Sequence, residues 1–110
     1  MKKLALILAL FGTPTLAQSY LTNGNKLLEM CTSDNTSMQS FCMGVIVGGL
    51  DGIVTVLDGT GIDGLCIPTD IPRLQIKDVF VKHLQEFPEI RHKGTGVLLL
   101  GAMTKAFPCE

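Results

Sequence analysis

The sequence predicts a small all-α domain, a disulfide-bonded bundle of about four helices. Three observations predict it. Apolar residues recur at spacings of three and four in four separate segments, the period of a helix with one buried face. Short polar or proline-bearing stretches separate those segments, so neighbouring helices run antiparallel. Four cysteines, Cys31, Cys42, Cys66 and Cys109, stand beside the expected helix ends.

The chain opens with "MKKLALILALFGTPTLA". Lys2 and Lys3 precede an apolar run from Leu4 to Phe11, then Gly12 and Pro14 break it, and small residues close it at Thr15-Leu16-Ala17. This is the pattern of a secretory signal peptide with cleavage after Ala17. Its apolar core falls short of the about 20 residues needed to span a bilayer. The short, lysine-led form looks bacterial, and the chain is expected to be exported. The mature part, residues 18–110, is sized for one helical domain with one core. Of nine Lys and Arg side chains seven remain, against ten acidic ones, a formal charge of −3. No basic patch points to nucleic acid, and no polybasic segment points to anionic lipid.

The first helix is expected within "SYLTNGNKLLEMC", where Leu21, Leu27, Leu28 and Cys31 share a side and Ser19 or Thr22 lies near the start. Asn23-Gly24-Asn25 weakens its early turns, so its firm part is expected near Asn25. "TSDNTSMQS" is a polar turn able to cap the next helix. The second helix is expected from about Met38 to Leu57, with Phe41, Val45, Leu50, Ile53, Val54 and Leu57 at helical spacing. Its β-branched "IVTV" leaves strand as the rival, which its length disfavours. "DGTGIDG" then reads as a loop. After Pro68 and Pro72 a third helix is expected from Arg73 to Glu86, its face made by Ile76, Val79, Phe80, His83, Leu84 and Phe87. Pro72 suits a helix start and Pro88 an end. The fourth is expected from Thr95 to Ala106, burying Leu98, Leu99, Ala102, Met103 and Ala106.

This helix map selects among the three pairings that four cysteines allow. Cys31 ends helix one and Cys42 begins helix two. Cys66 precedes helix three and Cys109 follows helix four. Cys31–Cys42 and Cys66–Cys109 therefore close two helical hairpins. Such a bridge contributes about 2–4 kcal/mol, which matters in a domain whose single core supplies roughly 3–5 kcal/mol.

The stretch "GVIVGGLDG" lacks the order and the following lysine of a phosphate-binding loop. Asp51 inside it costs a membrane span about 2.5–3.5 kcal/mol. Gly44, Gly48 and Gly52 recur every four residues and line one face, an expected close-packing face for a helix of the same chain or of a second subunit. Each glycine costs up to about 1 kcal/mol of helix propensity, so a compensating contact is expected. Asp58 and Asp63 lie in a glycine-rich loop without the oxygen ligands and closing glutamate of a calcium loop. There is no CxxC or HxxxH pair, and His83 and His92 stand far apart, so no metal site is expected. His83 has no nucleophile motif around it, and a catalytic Cys/His pair would need a free thiolate. No cofactor and no catalytic constellation is expected.

The segment "LCIPTDIPRLQIKDVFVKHLQEFPEIRHKGTGVLLLGAMTKAFPC", with the glycine helix before it, resembles the Rap/Tai family of type VI secretion immunity proteins. The resemblance rests on Cys42 with Gly44, Gly48 and Asp51, then Cys66 and Pro68, Gln75, Val79 through Leu84, Pro88-Glu89, Arg91-His92, and Ala106 to Cys109. Three positions depart from the family pattern. His83 replaces an aromatic residue, Pro72 a capping threonine, and Gly52 an alanine. The resemblance implies an all-α, disulfide-bonded, often dimeric periplasmic protein without catalysis. It also implies a partner: a peptidoglycan amidase toxin, neutralised by occlusion of its active-site cleft. Exposure, not a motif, nominates the contact residues: Asp58, Thr60 and Asp63 in one loop, Glu86, Glu89, Arg91 and His92 in another. The alternative is an exported small helical protein with a structural or chaperone-like role.

Overall fold

The computed structural model describes residues 22–110. The expected signal peptide and the start of the first expected segment, including Ser19 and Leu21, lie outside the described residues. Four helices follow in order: α1 Gly24–Cys31, α2 Thr36–Thr60, α3 Arg73–Glu86 and α4 Thr95–Ala106. A single 3-10 turn, Pro88–Ile90, joins α3 to α4. Among the described residues the β-type pairing is limited to an isolated bridge between Asn23 and Gly94, so the chain is an all-α bundle.

Local chemistry sets the helix ends. The Asn23 side chain accepts from the Lys26 amide at 3.0 Å and caps α1, while the Thr32 hydroxyl donates back to Leu28 O at its other end. Asn35 caps α2 by accepting from the amides of Ser37 and Met38. Each such cap satisfies an otherwise unpaired helix-end donor and contributes about 1 kcal/mol. The far end of α2 corrects the sequence reading. "DGTGIDG" is not a loop throughout, because the helix continues through Asp58, Gly59 and Thr60. The Thr60 hydroxyl donates to Val56 O at 2.9 Å. Gly61, at φ 69°, is the left-handed residue that ends the helix. Its amide bonds Asp58 O and the Ile62 amide bonds Leu57 O, the paired closure that a glycine after a helix makes easily.

The core gathers Leu27, Met30 and Cys31 from α1, Cys42, Ile46 and Leu50 from α2, Phe80 and Leu84 from α3, and Leu98, Leu99, Ala102 and Met103 from α4. No polar or charged side chain is buried with them among the described residues. Ala106, expected inside, is exposed. Cys31 is bonded to Cys42 and Cys66 to Cys109, each with Cα atoms 5.2 Å apart. The first bridge lies within the core, holding the α1–α2 turn. The second, on the surface, ties the C-terminal tail to the extended lead-in of α3.

The close approaches of backbone occur at glycines other than those the four-residue spacing picks out. Among the described residues, Gly44, Gly48 and Gly52 have open space where a Cβ would stand, so no described element packs closely on them. The neighbouring Gly49 is the one turned inward, where a Cβ would lie 2.7 Å from Leu99 Cδ1 of α4. Gly24 is tighter still, its missing Cβ falling 2.8 Å from Arg91 O and 2.9 Å from Arg91 Cα. The cause is the composition of α2. A helix apolar nearly all round has no unique period, so spacing alone cannot say which face turns inward.

Candidate partner-binding surface

The first nominated segment stands at the C-terminal end of α2 and the second between α3 and α4. The C-terminal turns of α2, at Val56 and Leu57, lie against the first turn of α4, at Gly96 and Val97. Asp58 and Thr60 stand on the last turn of α2 and Asp63 just beyond it, all exposed. The segment from Glu86 to Lys93 leads directly into that same first turn of α4. Glu89 and His92 are exposed on it, whereas Glu86, also exposed, shares a hollow with Lys105 and Ala106 of the last turn of α4. Glu86 also stands 3.8 Å from Lys82 in a solvent-exposed pair, an arrangement that contributes only a few tenths of a kcal/mol.

The second segment is held firmly. Asn25 N donates to Arg91 O at 3.0 Å and Gly24 N to Lys93 O at 3.3 Å. Thr22 and Thr95 share a hydroxyl contact of 2.7 Å beside them. Arg91 has a different position from its neighbours. It is half-buried, and its Nε donates to Leu84 O at 2.6 Å, with Nη2 reaching Gln85 O at 3.4 Å. The guanidinium thus satisfies carbonyls that α3 leaves unpaired at its end, since no glycine closes that helix. Arg91 holds the segment in place while Glu89 and His92 face outward. Sequence reasoning missed this role. The available signal was a helix stopped by Pro88 with no C-terminal glycine and an arginine close behind.

Two concave features lie elsewhere on the surface. The first is a cleft of about 330 Å³ between α2 and the lead-in to α3, lined by Val47, Leu50, Val54, Ile67, Ile71 and Ile76, among others. Asp51 and Arg73 border it, and both are exposed. An apolar floor with a carboxylate and a guanidinium at its rim suits an apolar side chain from a protein partner. The second, about 220 Å³, lies between α3 and α4 and contains His83, Lys82, Glu86 and Lys105. His83 stacks obliquely on Phe87 with ring centroids 5.0 Å apart, and Lys105 Nζ lies 4.1 Å from the Phe87 centroid. Burial lowers the His83 pKa, the Lys105 charge lowers it further, and Glu86 opposes both. The charged imidazole is thus disfavoured where His83 packs between α3 and α4.

Among the described residues no three His, Cys, Asp or Glu side chains converge as a metal site would require. All four cysteines are in disulfides. What the surface offers is apolar hollows bordered by charges of both signs. No curated protein and no solved structure matched the chain. The family model of the Rap1a immunity proteins matches it over residues 23–109, from the cap of α1 to the last cysteine. The chain is a member of the Rap1a immunity protein family.

Proposed function

We propose that this chain is a periplasmic immunity protein that binds a peptidoglycan amidase effector of a type VI secretion system and occludes its active-site cleft. The observation that carries the reading is the family match across essentially the whole described domain. Residues 1–17 act as the cleaved export signal, and the mature domain works as a homodimer without catalysis of its own. The effector contacts fall on the two segments that carry Asp58, Thr60 and Asp63 and Glu86, Glu89 and His92, Arg91 serving to hold the second segment in register. A backbone tied to α1 and α4 before binding reduces the ordering cost of association.

Co-expression tests this directly. A periplasm-targeted amidase effector lyses its host, and the full-length chain restores growth. A chain lacking residues 1–17 fails to protect, because the effector acts outside the cytoplasm. Lysis undiminished by the full-length chain across candidate amidases would rule the reading out. A structural or chaperone-like role is the second reading, favoured by the exposed Val56, Val97 and Ile62. It predicts suppression of client aggregation on acidification, with no protection against any amidase.

A further inference from the structure

The two disulfides stand in opposite surroundings. Cys31 and Cys42 are 4% and 0% exposed, inside the core between α1 and α2. Cys66 and Cys109 are both exposed, the first in the stretch between α2 and α3, the second after the end of α4. Thiol–disulfide exchange begins when a thiolate reaches a bridge sulfur, so access decides which bridge reacts. A dissolved thiol meets Cys66–Cys109 while the bundle is folded. It reaches Cys31–Cys42 only when the core opens.

The exposed bridge also holds the stretch of chain with the fewest other ties. After the Ile62 amide, which bonds Leu57 O, the next backbone closure is the Ile71 amide on Pro68 O. From Asp63 to Ile67 no backbone group makes a hydrogen bond among the described residues. Leu65 and Ile67 rest half-buried against the core. Ile67, Pro68 and Ile71 form one wall of the cleft of about 330 Å³, and Val47, Leu50 and Val54 of α2 form the other. The tail is as lightly held. Beyond the Phe107 amide, which bonds Met103 O at 2.8 Å, it makes no further backbone hydrogen bond among the described residues. Segments with few hydrogen bonds and few buried contacts open at low cost once a tether is removed. Neither Cys66 nor Cys109 lies in a helix, so parting them leaves every helix intact.

We propose that Cys66–Cys109 is a redox-sensitive clasp. A dithiol reductant opens it in the folded protein and releases the Asp63–Ile71 wall of the cleft together with the C-terminal tail, while Cys31–Cys42 keeps the bundle closed. The exchange balances. A thiolate of the reductant attacks Sγ of Cys66 or Cys109, forms a mixed disulfide and expels the other cysteine as a thiolate. The second thiolate of the reductant then attacks its own partner sulfur in that mixed bridge and expels the remaining cysteine. Two electrons pass to the protein, its two cysteines take up the two protons that the dithiol loses, and the reductant leaves as a disulfide. None of this depends on the effector.

Timed reduction of residues 18–110 by dithiothreitol without denaturant tests it, with free thiols trapped by iodoacetamide and located by peptide mass spectrometry. Cys66 and Cys109 are expected to label together, at least about 10-fold faster than Cys31 and Cys42. At that stage circular dichroism keeps its helical signal, and chymotrypsin cuts after Leu65 at least about 10-fold faster than in the oxidised chain. The double variant Cys66→Ser, Cys109→Ser gives the same cleavage without reductant. Equal labelling of all four cysteines, or labelling of Cys31 and Cys42 first, overturns the clasp. So does a helical signal lost in step with the labelling of Cys66 and Cys109, because the bridge would then hold the whole fold. Cleavage after Leu65 that is unchanged in the reduced wild type overturns the release of the wall.

Discussion

The two halves of α2 have similar composition and opposite fates. Thr36 to Leu50 contributes Cys42, Ile46 and Leu50 to the core and is stapled to α1 by Cys31–Cys42. Asp51 to Thr60 is rich in valine and isoleucine, yet none of its residues is buried. The difference teaches that burial in this molecule follows from what lies opposite, not from hydrophobicity along the chain. α1 is only eight residues long, so it covers only part of α2. The rest of α2 keeps its helix by its Gly61 closure and its side contact with α4, and its other faces stay exposed among the described residues.

Substitutions along α2 sharpen this contrast. The largest effect is expected at Ile46, 1% exposed in the first half. Ile46→Ala costs about 2–5 kcal/mol in chemical denaturation, as removal of a packed aliphatic chain does. Val54, 42% exposed in the second half, should change stability by no more than about 0.5 kcal/mol when replaced by alanine. Equal losses at the two sites would mean that the outer half is packed in the monomer.

Glycines give the next effect, with a change of sign. Gly24→Ala drives a methyl against the Arg91 backbone, which cannot move without breaking the tie between α1 and the Glu86–Lys93 segment. The expected loss is about 1–3 kcal/mol. Gly44→Ala meets open space and gains helix propensity, so it should stabilise by roughly 0.5–1 kcal/mol. Thermal melts of the two variants displaced in opposite directions would establish which glycines pack within the chain.

The smallest effect concerns pH. Because burial holds the folded His83 below its ordinary pKa of 6.5, the unfolded chain takes up the proton more readily. This contribution is therefore fully present above that pH and declines as the pH falls through it toward the folded value. His83→Phe, which restores the aromatic residue expected at this place, removes the contribution and should flatten the stability profile between about pH 7 and 5. An unchanged slope would show that His83 is solvated in the folded protein.

Much of this fold was legible in the sequence, for identifiable reasons. Pro72, Pro88 and the periodic Phe80 and Leu84 define α3, and the order of helix ends pairs Cys31 with Cys42 and Cys66 with Cys109. Three features were not legible. The end of α2 was hidden because two glycines compete to close the helix, and only the backbone shows that Gly61 takes the left-handed turn while Gly59 stays helical. The packing glycine was hidden because Gly48 and Gly49 are adjacent on a helix apolar all round, and a rotation of one residue exchanges their faces. The role of Arg91 was hidden because it depends on carbonyls of Leu84 and Gln85 brought near by the intervening turn. The contact residues were nominated from exposure, and in the structure all are exposed but Arg91, which is half-buried.

The measurement that tests the account most directly is a titration of a purified type VI amidase effector with the mature chain, following peptidoglycan hydrolysis and complex formation together. The account predicts saturable loss of hydrolysis, complete at one chain per enzyme, with a stable complex that is weakened when Asp58, Asp63 and Glu89 are replaced by lysine and unaffected by Leu74→Asp. Full hydrolysis in the presence of excess chain, with no complex formed by any candidate amidase, would contradict it.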